Sequence, residues 1–516
     1  MPHIVTQSCC SDASCVYACP VNCIHPTPDE PDFLTAEMLH IDPSSCVDCG
    51  ACVSACPVDA IVPKAKLTEA QLPFLQINAD FYKRERPARP LLAPVSPAPA
   101  VTRERQPLRV AIVGSGPSAM YAADELLTQP GVKVDVYDRL TRPHGLARLG
   151  VAPDHEKTRQ VSRLFDTIAA QPGFRFHLGV EVGEDITHQQ LLDQHHAVIY
   201  AVGASSDREL TIPGAKLAGR GSATDFVAWY NGHPDHADRH YDLSHKRAIV
   251  IGNGNVALDV ARILTIDPDR LVGTNVPHHA LKALRESKIE EVLVVGRRGI
   301  AQSAFTVPEF AGLLGTPGVD VSIHRDEIVL DAATVALTET DELSHAVVQK
   351  LRLLQRLEGS EGRGGKRIML RYLLSPKRIL GDAVVTGVEF DRMALDTGID
   401  GTVLSVATGE VETVDTGLVL TSIGYRGVAI AGVPFDEQVG IIPNDDGRVL
   451  ESPGGAKFPG TYVTGWIKRG PSAFIGTNKS CAQGTVSNLV ADFNCGMLAD
   501  IGSPAPLKRR SWLRRL

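Results

Sequence analysis

The segment from Cys46 to Pro57 constrains this chain more than any other. It reads C-V-D-C-G-A-C-V-S-A-C-P, a C-x2-C-x2-C-x3-C-P run. Thiolates are the ligands that soft iron–sulfide centres prefer, and the spacing of the first three lets one turning loop surround a single cluster. Cys56 lies too far along the run to complete that set, and in runs of this kind the fourth cysteine binds another cluster. The segment therefore predicts a one-electron carrier with a second set of ligands elsewhere in the chain.

A second, altered copy of the run lies near the start of the chain. Residues 9–20 read C-C-S-D-A-S-C-V-Y-A-C-P, with Cys15, Cys19 and Pro20 at the template positions and Asp12 where the second cysteine belongs. The match predicts that this segment also binds an iron–sulfur cluster. A carboxylate in place of a thiolate makes the two clusters unequal.

Residues 1–83, which carry both runs, resemble a bacterial two-cluster ferredoxin, an α+β domain. The ligands that this resemblance implies are Cys9, Asp12, Cys15 and Cys56 for cluster A, and Cys19, Cys46, Cys49 and Cys52 for cluster B. Asp12 leaves two forms open for cluster A: an aspartate-ligated 4Fe-4S cluster or, as in the seven-iron ferredoxins, a 3Fe-4S cluster, which is favoured. Cys10 and Cys23 lie outside both templates and are expected to be free buried thiols, although Cys10 is an alternative ligand.

Length and cysteine distribution restrict the class of protein. A chain of 516 residues exceeds a single core and predicts about three domains. Nine of the eleven cysteines precede residue 57, so they do not form a disulfide framework of the secreted kind, and the compartment should be reducing. The first residues show no basic and apolar leader, and no apolar run reaches 18 residues. The sequence predicts a cytoplasmic protein without a transmembrane segment.

Charge is unevenly distributed along the chain. Residues 1–83 contain ten acidic side chains and three lysines, a local net charge of −7 in a chain of net −8. Residues 507–516, within a predicted basic tail at 503–516, carry five positive charges; a solvated tail is favoured over one that docks on an acidic partner or an anionic surface. With a pI near 6.1 and no basic domain with interleaved aromatics, nucleic-acid binding has no support.

Residues 84–107 are rich in proline and show no hydrophobic periodicity. Proline favours the extended polyproline II conformation, so this segment predicts a semi-rigid linker. A linker of this kind would hold two modules at high local concentration.

A dinucleotide-binding pattern follows the linker. The buried-strand run L-R-V-A-I-V breaks at Gly114-Ser-Gly116 and continues into the helical M-Y-A-A-D-E-L-L. Gly114 permits a tight turn, Gly116 lets the backbone approach a pyrophosphate, and Ala119 allows close packing of helix on strand. The next strand ends at Asp138, 24 residues after Gly114, where a carboxylate can accept hydrogen bonds from an adenosine ribose.

A second pattern of the same kind begins at Arg247, where A-I-V-I leads into Gly252-Asn-Gly254 and a helix. The following strand ends in Arg297 and Arg298 instead of an acidic residue. Paired guanidinium groups form charge-assisted bonds to a 2′-phosphate, whereas a carboxylate would accept the ribose hydroxyl of NAD. NADP is therefore favoured over NAD, and an ordinary solvated turn is the alternative interpretation of the arginine pair.

Residues 108 to about 500 resemble the adrenodoxin-reductase type of ferredoxin–NADP reductase. The blocks that carry the resemblance are V-G-S-G-P-S-A from Val113, H-G-L-A-R-L-G-V-A-P-D-H from His144, W-Y-N-G from Trp229, I-G-N-G-N-V-A-L-D-V-A-R-I-L from Ile251, V-G-R-R-G from Val295, A-F-T-V-P-E-F from Ala304, T-S-I-G-Y from Thr421 and G-W-I-K-R-G-P from Gly465. The resemblance implies an α/β flavoprotein with two Rossmann-like dinucleotide-binding domains. It places the FAD-binding domain at 108–210 and 416–502, and the NADP-binding domain at 211–415.

The resemblance also implies which residues contact each cofactor. Those expected at FAD are Gly114, Gly116, Ala119, Asp138, Leu146, Gly465 and Trp466. Those expected at NADP are Asn253, Asn255, Val256, Arg297, Arg298, Glu309 and Gly476. The candidate catalytic residues are His155, Glu309 and Trp466, of which the first two would position the nicotinamide or relay protons. Purely structural roles for His155 and Glu309 stay open.

The expected activity is that of a ferredoxin–NADP(+) reductase with its own ferredoxin fused at the N-terminus. NADPH gives up a pair of electrons as hydride, iron–sulfur clusters take them singly, and FAD is the converter between them. The final acceptor would be an external ferredoxin, a cytochrome P450 or another electron acceptor. The alternatives are an electron-input subunit of a larger, glutamate-synthase-like oxidoreductase and a non-catalytic iron–sulfur redox sensor. Disulfide-reductase chemistry is not expected, because Cys481 and Cys495 are isolated from each other and from any C-x-x-C motif.

Overall fold

The computed structural model describes residues 2–83, 90, 92–95, 99–102, 107–340, 342–357, 365–398, 402–472 and 474–501. Most of the predicted linker 84–107 and all of the predicted tail 503–516 lie outside the described residues. The strands, in chain order, are β1 (His3–Val5), β2 (Ile24–His25), β3 (His40–Ile41), β4 (Ile61–Pro63), β5 (Arg109–Val113), β6 (Lys133–Asp138), β7 (Phe174–Leu178), β8 (Ala197–Tyr200), β9 (Ser206–Asp207), β10 (Arg220–Ser222), β11 (Arg247–Ile251), β12 (Glu291–Val295), β13 (Val319–Ile323), β14 (Lys366–Arg371), β15 (Leu374–Leu380), β16 (Gly387–Thr397), β17 (Val403–Asp415), β18 (Leu418–Thr421), β19 (Tyr425–Arg426), β20 (Asn444–Asp445), β21 (Arg448–Leu450) and β22 (Lys457–Val463). The helices are α1 (Ser14–Ala18), α2 (Ala51–Ala55), α3 (Pro73–Phe81), α4 (Pro117–Leu127), α5 (Leu146–Leu149), α6 (Glu156–Arg159), α7 (Val161–Ala169), α8 (His188–Leu192), α9 (Ala223–Tyr230), α10 (Asn255–Thr265), α11 (His278–Glu286), α12 (Val307–Leu314), α13 (Ala332–Glu339), α14 (His345–Gln355), α15 (Trp466–Arg469) and α16 (Thr477–Asn494).

The chain forms two compact units. Unit 1 comprises Met1–Val95, Ala147–Val161 and Asp207–Tyr425, and unit 2 comprises Ser96–Leu146, Ser162–Ser206 and Arg426–Leu516. Unit 1 thus contains both cysteine runs and the second glycine turn, whereas unit 2 contains the first glycine turn.

The N-terminal part of unit 1 is a small α+β module. Strand β1 pairs antiparallel with β4, and β2 pairs antiparallel with β3. Helix α3 packs on this layer and presents the buried amide of Asn78, which accepts hydrogen bonds from the backbone amides of Val5 and Ile41 at 3.3 and 3.0 Å. Because Asn78 also donates to the carbonyl of Val5, one side chain ties the helix to two strands. This arrangement is the ferredoxin-type fold that the sequence predicted.

The larger part of unit 1 is built on a six-stranded parallel sheet of order β10-β18-β11-β12-β14-β13. Its central strands β11 and β12 are almost entirely buried, as expected for a sheet covered on both faces. An antiparallel sheet of order β15-β16-β17 follows in the chain. Parallel strands alternating with helices confirm the α/β class predicted for this region.

Unit 2 has a seven-stranded sheet of order β20-β21-β22-β8-β5-β6-β7. The five strands from β22 to β7 run parallel, and β20 and β21 extend the sheet as an antiparallel edge. Helix α4, which follows the first glycine turn, packs against the long C-terminal helix α16. This unit is the second Rossmann-like fold that the sequence predicted.

The domain boundaries differ from those expected. Residues 416–425 were assigned to the FAD-binding domain, but β18 pairs with β10 and β11 and so belongs to the sheet of unit 1. Residues 147–161, also assigned to the FAD-binding domain, lie in unit 1 as well. Both corrections concern segments whose contacts lie with parts of the chain far away in sequence.

None of the helices in the described part of the chain is both long enough and apolar enough to cross a bilayer.

Candidate redox and nucleotide sites

The two cysteine runs share one backbone conformation. Ser11 and Ala13 have φ of 58° and 61°, and the corresponding Asp48 and Gly50 have φ of 57° and 76°. Each pair of left-handed residues curls the chain immediately before a five-residue helix, α1 or α2. The altered first run therefore folds like the intact second one.

The four cysteines predicted to bind cluster B lie together. Cys19, Cys46, Cys49 and Cys52 line one cavity, together with Cys23. Cys19 and Cys52 are buried, and Cys49 is exposed. Four thiols around one cavity fit a 4Fe-4S cluster, because thiolates are the donors such a cluster takes.

Cys23 was expected to be a free buried thiol, and it is buried, but it also contacts a ligand of cluster B. Its Sγ lies 3.4 Å from the Sγ of Cys19. This hydrogen bond lowers the pKa of Cys19 and correspondingly raises the pKa of Cys23. Such contacts to a coordinating sulfur tune a cluster.

The ligands predicted for cluster A lie near one another. Cys15 is buried and Cys9 is half-buried. Burial raises the pKa of Cys9 to about 11 and that of Cys15 well above its usual range, and the charges of Asp12 and Cys56 raise both further. Buried thiols that lie close together ionise with difficulty, because each thiolate would repel the others. A bound cation is needed to keep them as thiolates. The donor set therefore fits an iron–sulfur cluster. Cys10, desolvated beside the same groups, stays an alternative ligand.

Asp12 occupies the template position of a cysteine, and its carboxylate is hydrogen-bonded to Ser14. It accepts hydrogen bonds from the hydroxyl of Ser14 and, at 3.3 Å, from the Ser14 amide. The side chain is only 6% exposed. A buried carboxylate satisfied by protein donors has less need of a metal than an unpaired one.

The first glycine turn, in unit 2, has the geometry of a pyrophosphate site. Gly114 has φ of 99°, and a Cβ there would lie 2.6 Å from the carbonyl oxygen of Ala201. Gly116 is extended, and a Cβ there would meet nothing within 4 Å. Gly114 is thus required by the fold, whereas Gly116 leaves open space at the N-terminus of α4, where a phosphate is stabilised. Ala119 is fully buried in α4.

The other residues expected at FAD lie in unit 2 as well. Asp138 accepts from the Ser115 amide at 2.9 Å and from the Leu140 amide at 2.8 Å, which leaves carboxylate lone pairs for a ribose hydroxyl. Leu146 is exposed, at 39%. Trp466 begins α15, and its Nε1 donates to the Ser472 carbonyl at 3.0 Å.

Gly465 and Gly476 complete the predicted set of unit 2. Gly465 has φ of 75°, a Cβ there would collide with Ser118, and its amide donates to the Sγ of Cys481 at 3.3 Å. Gly476, expected at NADP, is the N-cap of α16 in the same unit as the FAD set.

The second glycine turn, in unit 1, repeats the first. Gly252 has φ of 117°, and a Cβ there would collide with the backbone of Ser422. Gly254 again faces open space and caps α10. In both units the first glycine is required by the backbone conformation and the second leaves open space. This shared arrangement indicates two phosphate-binding turns.

Five of the residues expected at NADP lie at this turn or at the end of the neighbouring strand β12. Asn255 accepts from the Thr306 amide at 2.8 Å, and Asn253 accepts from the Ala304 amide at 3.4 Å, which ties the turn to the loop before α12. Val256 is half-buried in the first turn of α10. Arg297 and Arg298 are exposed at the carboxyl end of β12, and neither guanidinium forms an ion pair with a residue of the described part. Both are available for a 2′-phosphate.

A buried charge network surrounds Arg262 on α10. Its guanidinium contacts Asp154 at 2.7 Å, Asp259 at 2.6 Å and Glu309 at 2.8 Å, and the side chain is only 2% exposed. Burial lowers the pKa of an arginine, but three carboxylates raise that of Arg262 well above its usual range. Burial and the charge of Glu309 raise the pKa of Asp259 to about 6.

His155 and Glu309, expected to act as a pair, do lie together in unit 1. Their Nε2 and Oε1 atoms are 3.7 Å apart, and His155 Nδ1 is 3.9 Å from Asp259. Three carboxylates face one guanidinium, so the network has an excess of acidic groups beside the imidazole. The arrangement can hold a proton or orient a cationic ring. Trp466, the third candidate catalytic residue, belongs to the other unit.

The ferredoxin-type module and the six-stranded sheet contact each other within unit 1. Glu37 pairs with Lys350 at 2.8 Å and accepts from the Val307 amide at 2.6 Å. Asp80 pairs with Arg352 at 2.7 Å. We call these five residues the docking face; they join the acidic module to cations of the nucleotide-binding part.

Comparisons with known proteins show the family of the chain. A family model described as pyridine nucleotide-disulphide oxidoreductase matches residues 108–302, and one described as a 4Fe-4S binding domain matches residues 39–62. The Mycobacterium tuberculosis protein named probable ferredoxin/ferredoxin–NADP reductase is 55% identical over 98% of this chain and 87% of its own length. Its Mycobacterium leprae counterpart is 53% identical over 99% of this chain and 90% of its own length. The solved structure of M. tuberculosis FprA in complex with NADPH has a TM-score of 0.72 and 43% identity, covering 77% of this chain and 88% of that one.

Fold and sites define an oxidoreductase with two dinucleotide-binding folds and an iron–sulfur module. More particularly, the chain belongs to the family of ferredoxin/ferredoxin–NADP reductases, whose reductase part has the FprA or adrenodoxin-reductase type of fold. The name of the matched model refers to disulphide chemistry, which would need two neighbouring cysteines. Cys481 and Cys495 are separated by about 20 Å along α16, too far for a disulfide.

Proposed function

We propose that this protein is a ferredoxin–NADP(+) reductase that carries electrons from NADPH to its own iron–sulfur module and on to an external ferredoxin, a cytochrome P450 or another acceptor. Bound FAD would convert the paired electrons of NADPH into the single electrons that iron–sulfur centres accept. The observation that carries the proposal is the coexistence of two glycine turns of the same geometry with two thiol-lined sites in one chain. A reducing, cytoplasmic compartment would suit its many reduced thiols.

FAD would be bound by unit 2. The turn at Gly114 and Gly116 would take its pyrophosphate, Asp138 its adenosine ribose, and Gly465 with Trp466 would lie against the flavin. The open space at Gly116 and the forced backbone at Gly114 and Gly465 support this assignment. Ala119 and Leu146 would complete the contacts.

NADP would be bound around the second turn. Gly252 and Gly254 would shape it, while Asn253, Asn255 and Val256 would contact the nucleotide. The exposed Arg297 and Arg298 would bind its 2′-phosphate, which favours NADPH over NADH. Gly476 would complete the contacts that the resemblance implies for NADP.

His155 and Glu309 would position the nicotinamide ring. A carboxylate and an imidazole 3.7 Å apart can fix an amide or hold a proton. Placement of the reacting carbon matters more for this reaction than acid–base assistance, so we assign positioning as their main role.

Cluster A would be a 3Fe-4S cluster held by Cys9, Cys15 and Cys56. The hydrogen bonds from Ser14 to Asp12 support this form over an aspartate-ligated 4Fe-4S cluster, because they satisfy the carboxylate without iron. Cluster B would be a 4Fe-4S cluster.

The test is a comparison of two electron acceptors in the Cys49→Ser variant. Ferricyanide accepts electrons directly from a reduced flavin, whereas cytochrome c reduction would require the iron–sulfur module. We expect the variant to keep NADPH-dependent ferricyanide reduction and to lose most cytochrome c reduction.

Unchanged cytochrome c reduction in the variant would contradict the proposed electron outlet. A wild-type protein that reduces neither acceptor with NADPH would favour the non-catalytic redox sensor instead. The FAD content and iron content of both proteins serve as controls for loading.

A further inference from the structure

The ferredoxin-type module places one uncharged side chain among the buried charges of the nucleotide-binding part. The Nε2 of Gln7 lies 3.4 Å from the Nε2 of His155 and 3.5 Å from the Oε2 of Glu309. Gln7 thus contacts both members of the pair assigned to the nicotinamide. Nothing in the two cysteine templates or the two glycine turns requires a glutamine at this position.

Space for this side chain is provided by Gly312. Glu309 and Gly312 stand three residues apart on α12, so they share one face of the helix. A Cβ at Gly312 would collide with the carboxamide group of Gln7. The Gln7 amide therefore occupies the space that a side chain at position 312 of α12 would fill.

Two further contacts hold the module in the same place. Glu37 accepts from the amide of Val307, the first residue of α12, and pairs with Lys350. The Nζ of Lys157, two residues after His155, donates to the carbonyl of Asp59 at 3.3 Å. The module thus contacts both segments that carry the pair.

Glutamine suits this position because its side chain donates hydrogen bonds but carries no charge. A carboxamide donates without adding charge, so it can satisfy Glu309 without competing with Arg262, which already binds the other oxygen of that carboxylate at 2.8 Å. Without the amide, Glu309 would keep its salt bridge but lose a constraint on its outer oxygen.

We propose that Gln7 is a positioning residue of the nicotinamide site, through which the docked ferredoxin module holds His155 and Glu309 in place for the nucleotide. The inference rests on the proposed function, since it takes the pair to face the nicotinamide. Its consequence is that nucleotide binding and docking of the module are coupled, and by linkage each strengthens the other.

Two single variants of the full-length holoprotein perturb this contact from opposite sides. Gln7→Ala removes the amide, and Gly312→Ala displaces it from α12 without touching the loop that binds cluster A. Alanine is favoured over glycine within a helix, so Gly312→Ala has no intrinsic cost to folding of the helix. The double variant is the matched control, because alanine at 312 has no amide to displace once Gln7 is gone.

The measurement is the dissociation constant of oxidised NADP+ and of 2′,5′-ADP, which keeps the 2′-phosphate but lacks the nicotinamide. We expect each single variant to bind NADP+ about three- to tenfold more weakly. This is the effect of losing one hydrogen bond to a charged group when the distance between donor and acceptor is long. Binding of 2′,5′-ADP should be unchanged, and the double variant should be no worse than Gln7→Ala. The iron content reports that the clusters are intact.

Wild-type affinity for NADP+ in both single variants would overturn the proposal. Tighter binding would also overturn it, by making Gln7 an obstacle to the nucleotide, and equal weakening of both ligands would reduce it to a general effect on folding. Failure of the underlying function is distinguishable, since the wild-type protein would then bind neither ligand.

Discussion

Asp12 is the residue on which the character of the iron–sulfur module depends. It stands on a backbone that matches the intact run, at the position of Cys49, and Ser14 satisfies its carboxylate. We propose that this single change of side chain makes the two clusters of the module unequal. This difference is chemical and does not alter the local fold.

Replacing Asp12 with cysteine should restore the missing ligand. We expect Asp12→Cys to contain two 4Fe-4S clusters, because the left-handed residues on either side already hold the loop in the ligand-binding conformation. Anaerobic EPR and Mössbauer spectroscopy of the oxidised and reduced protein would detect the loss of the 3Fe-4S signal. Asp12→Asn, which keeps the shape but supplies no thiolate, is the control.

A spectrum of Asp12→Cys identical to that of the wild-type protein would remove Asp12 from the ligand positions. Cys10 would then be the nearest alternative, since it is buried beside the same groups.

Single residues were predictable from sequence where a motif fixes their role, and not otherwise. The two cysteine runs and the glycines of both turns follow from motifs in the chain, and the pair His155 and Glu309 follows from the family resemblance; the roles of these residues as ligands or catalytic groups stay predictions. Arg262 was missed, although a charged residue within the apolar run V-A-R-I-L signals a buried partner. Gln7 carried no signal, because its importance arises only from where the module docks.

At the scale of structural elements, each glycine turn combines two glycines with different physical roles. In the second turn, Gly252 adopts a conformation closed to other residues, with the backbone of Ser422 where its Cβ would be. Gly254 adopts an ordinary extended conformation and faces open space. The first is needed for folding and the second for ligand access.

Substitution of the two glycines should separate these tasks. Gly252→Ala should lower the free energy of unfolding by at least about 2 kcal/mol, through backbone strain and overpacking. Gly254→Ala should change it by less than about 1 kcal/mol, yet weaken NADP+ binding about tenfold or more, because the methyl group lies where a phosphate must approach. Thermal unfolding monitored by circular dichroism and NADP+ titration distinguish the two outcomes.

Equal stability losses in the two variants would contradict this division of tasks. So would unimpaired NADP+ binding by Gly254→Ala.

Elements that form locally were predicted better than those that pair across the chain. Both strand–turn–helix units occur where their glycines predicted them, because the turn and the helix start are encoded within a dozen residues. Strand β18 was assigned to the wrong domain, because its partners β10 and β11 lie about 200 and 170 residues earlier. Nothing within β18 itself, a short apolar run, specifies the sheet that it joins.

At the scale of the whole molecule, the sequence predicted a ferredoxin attached to a reductase by a proline-rich linker. The structure adds that the module packs within the same compact unit as the six-stranded sheet, through the docking face. Desolvation opposes ionisation of Asp80, but hydrogen bonds and charges from its neighbours hold its pKa below the usual range. A charged group is therefore maintained in that interface. Covalent attachment and docking together would make electron transfer to the module an intramolecular step.

The most direct test of this account is anaerobic stopped-flow spectroscopy of the holoprotein mixed with NADPH. The rate of iron–sulfur bleaching is measured at several protein concentrations, with NADPH in constant excess. The account predicts that bleaching follows flavin reduction with a first-order rate constant that does not change with protein concentration. A rate that rises in proportion to protein concentration, or reduced flavin with no bleaching of the clusters, would contradict it.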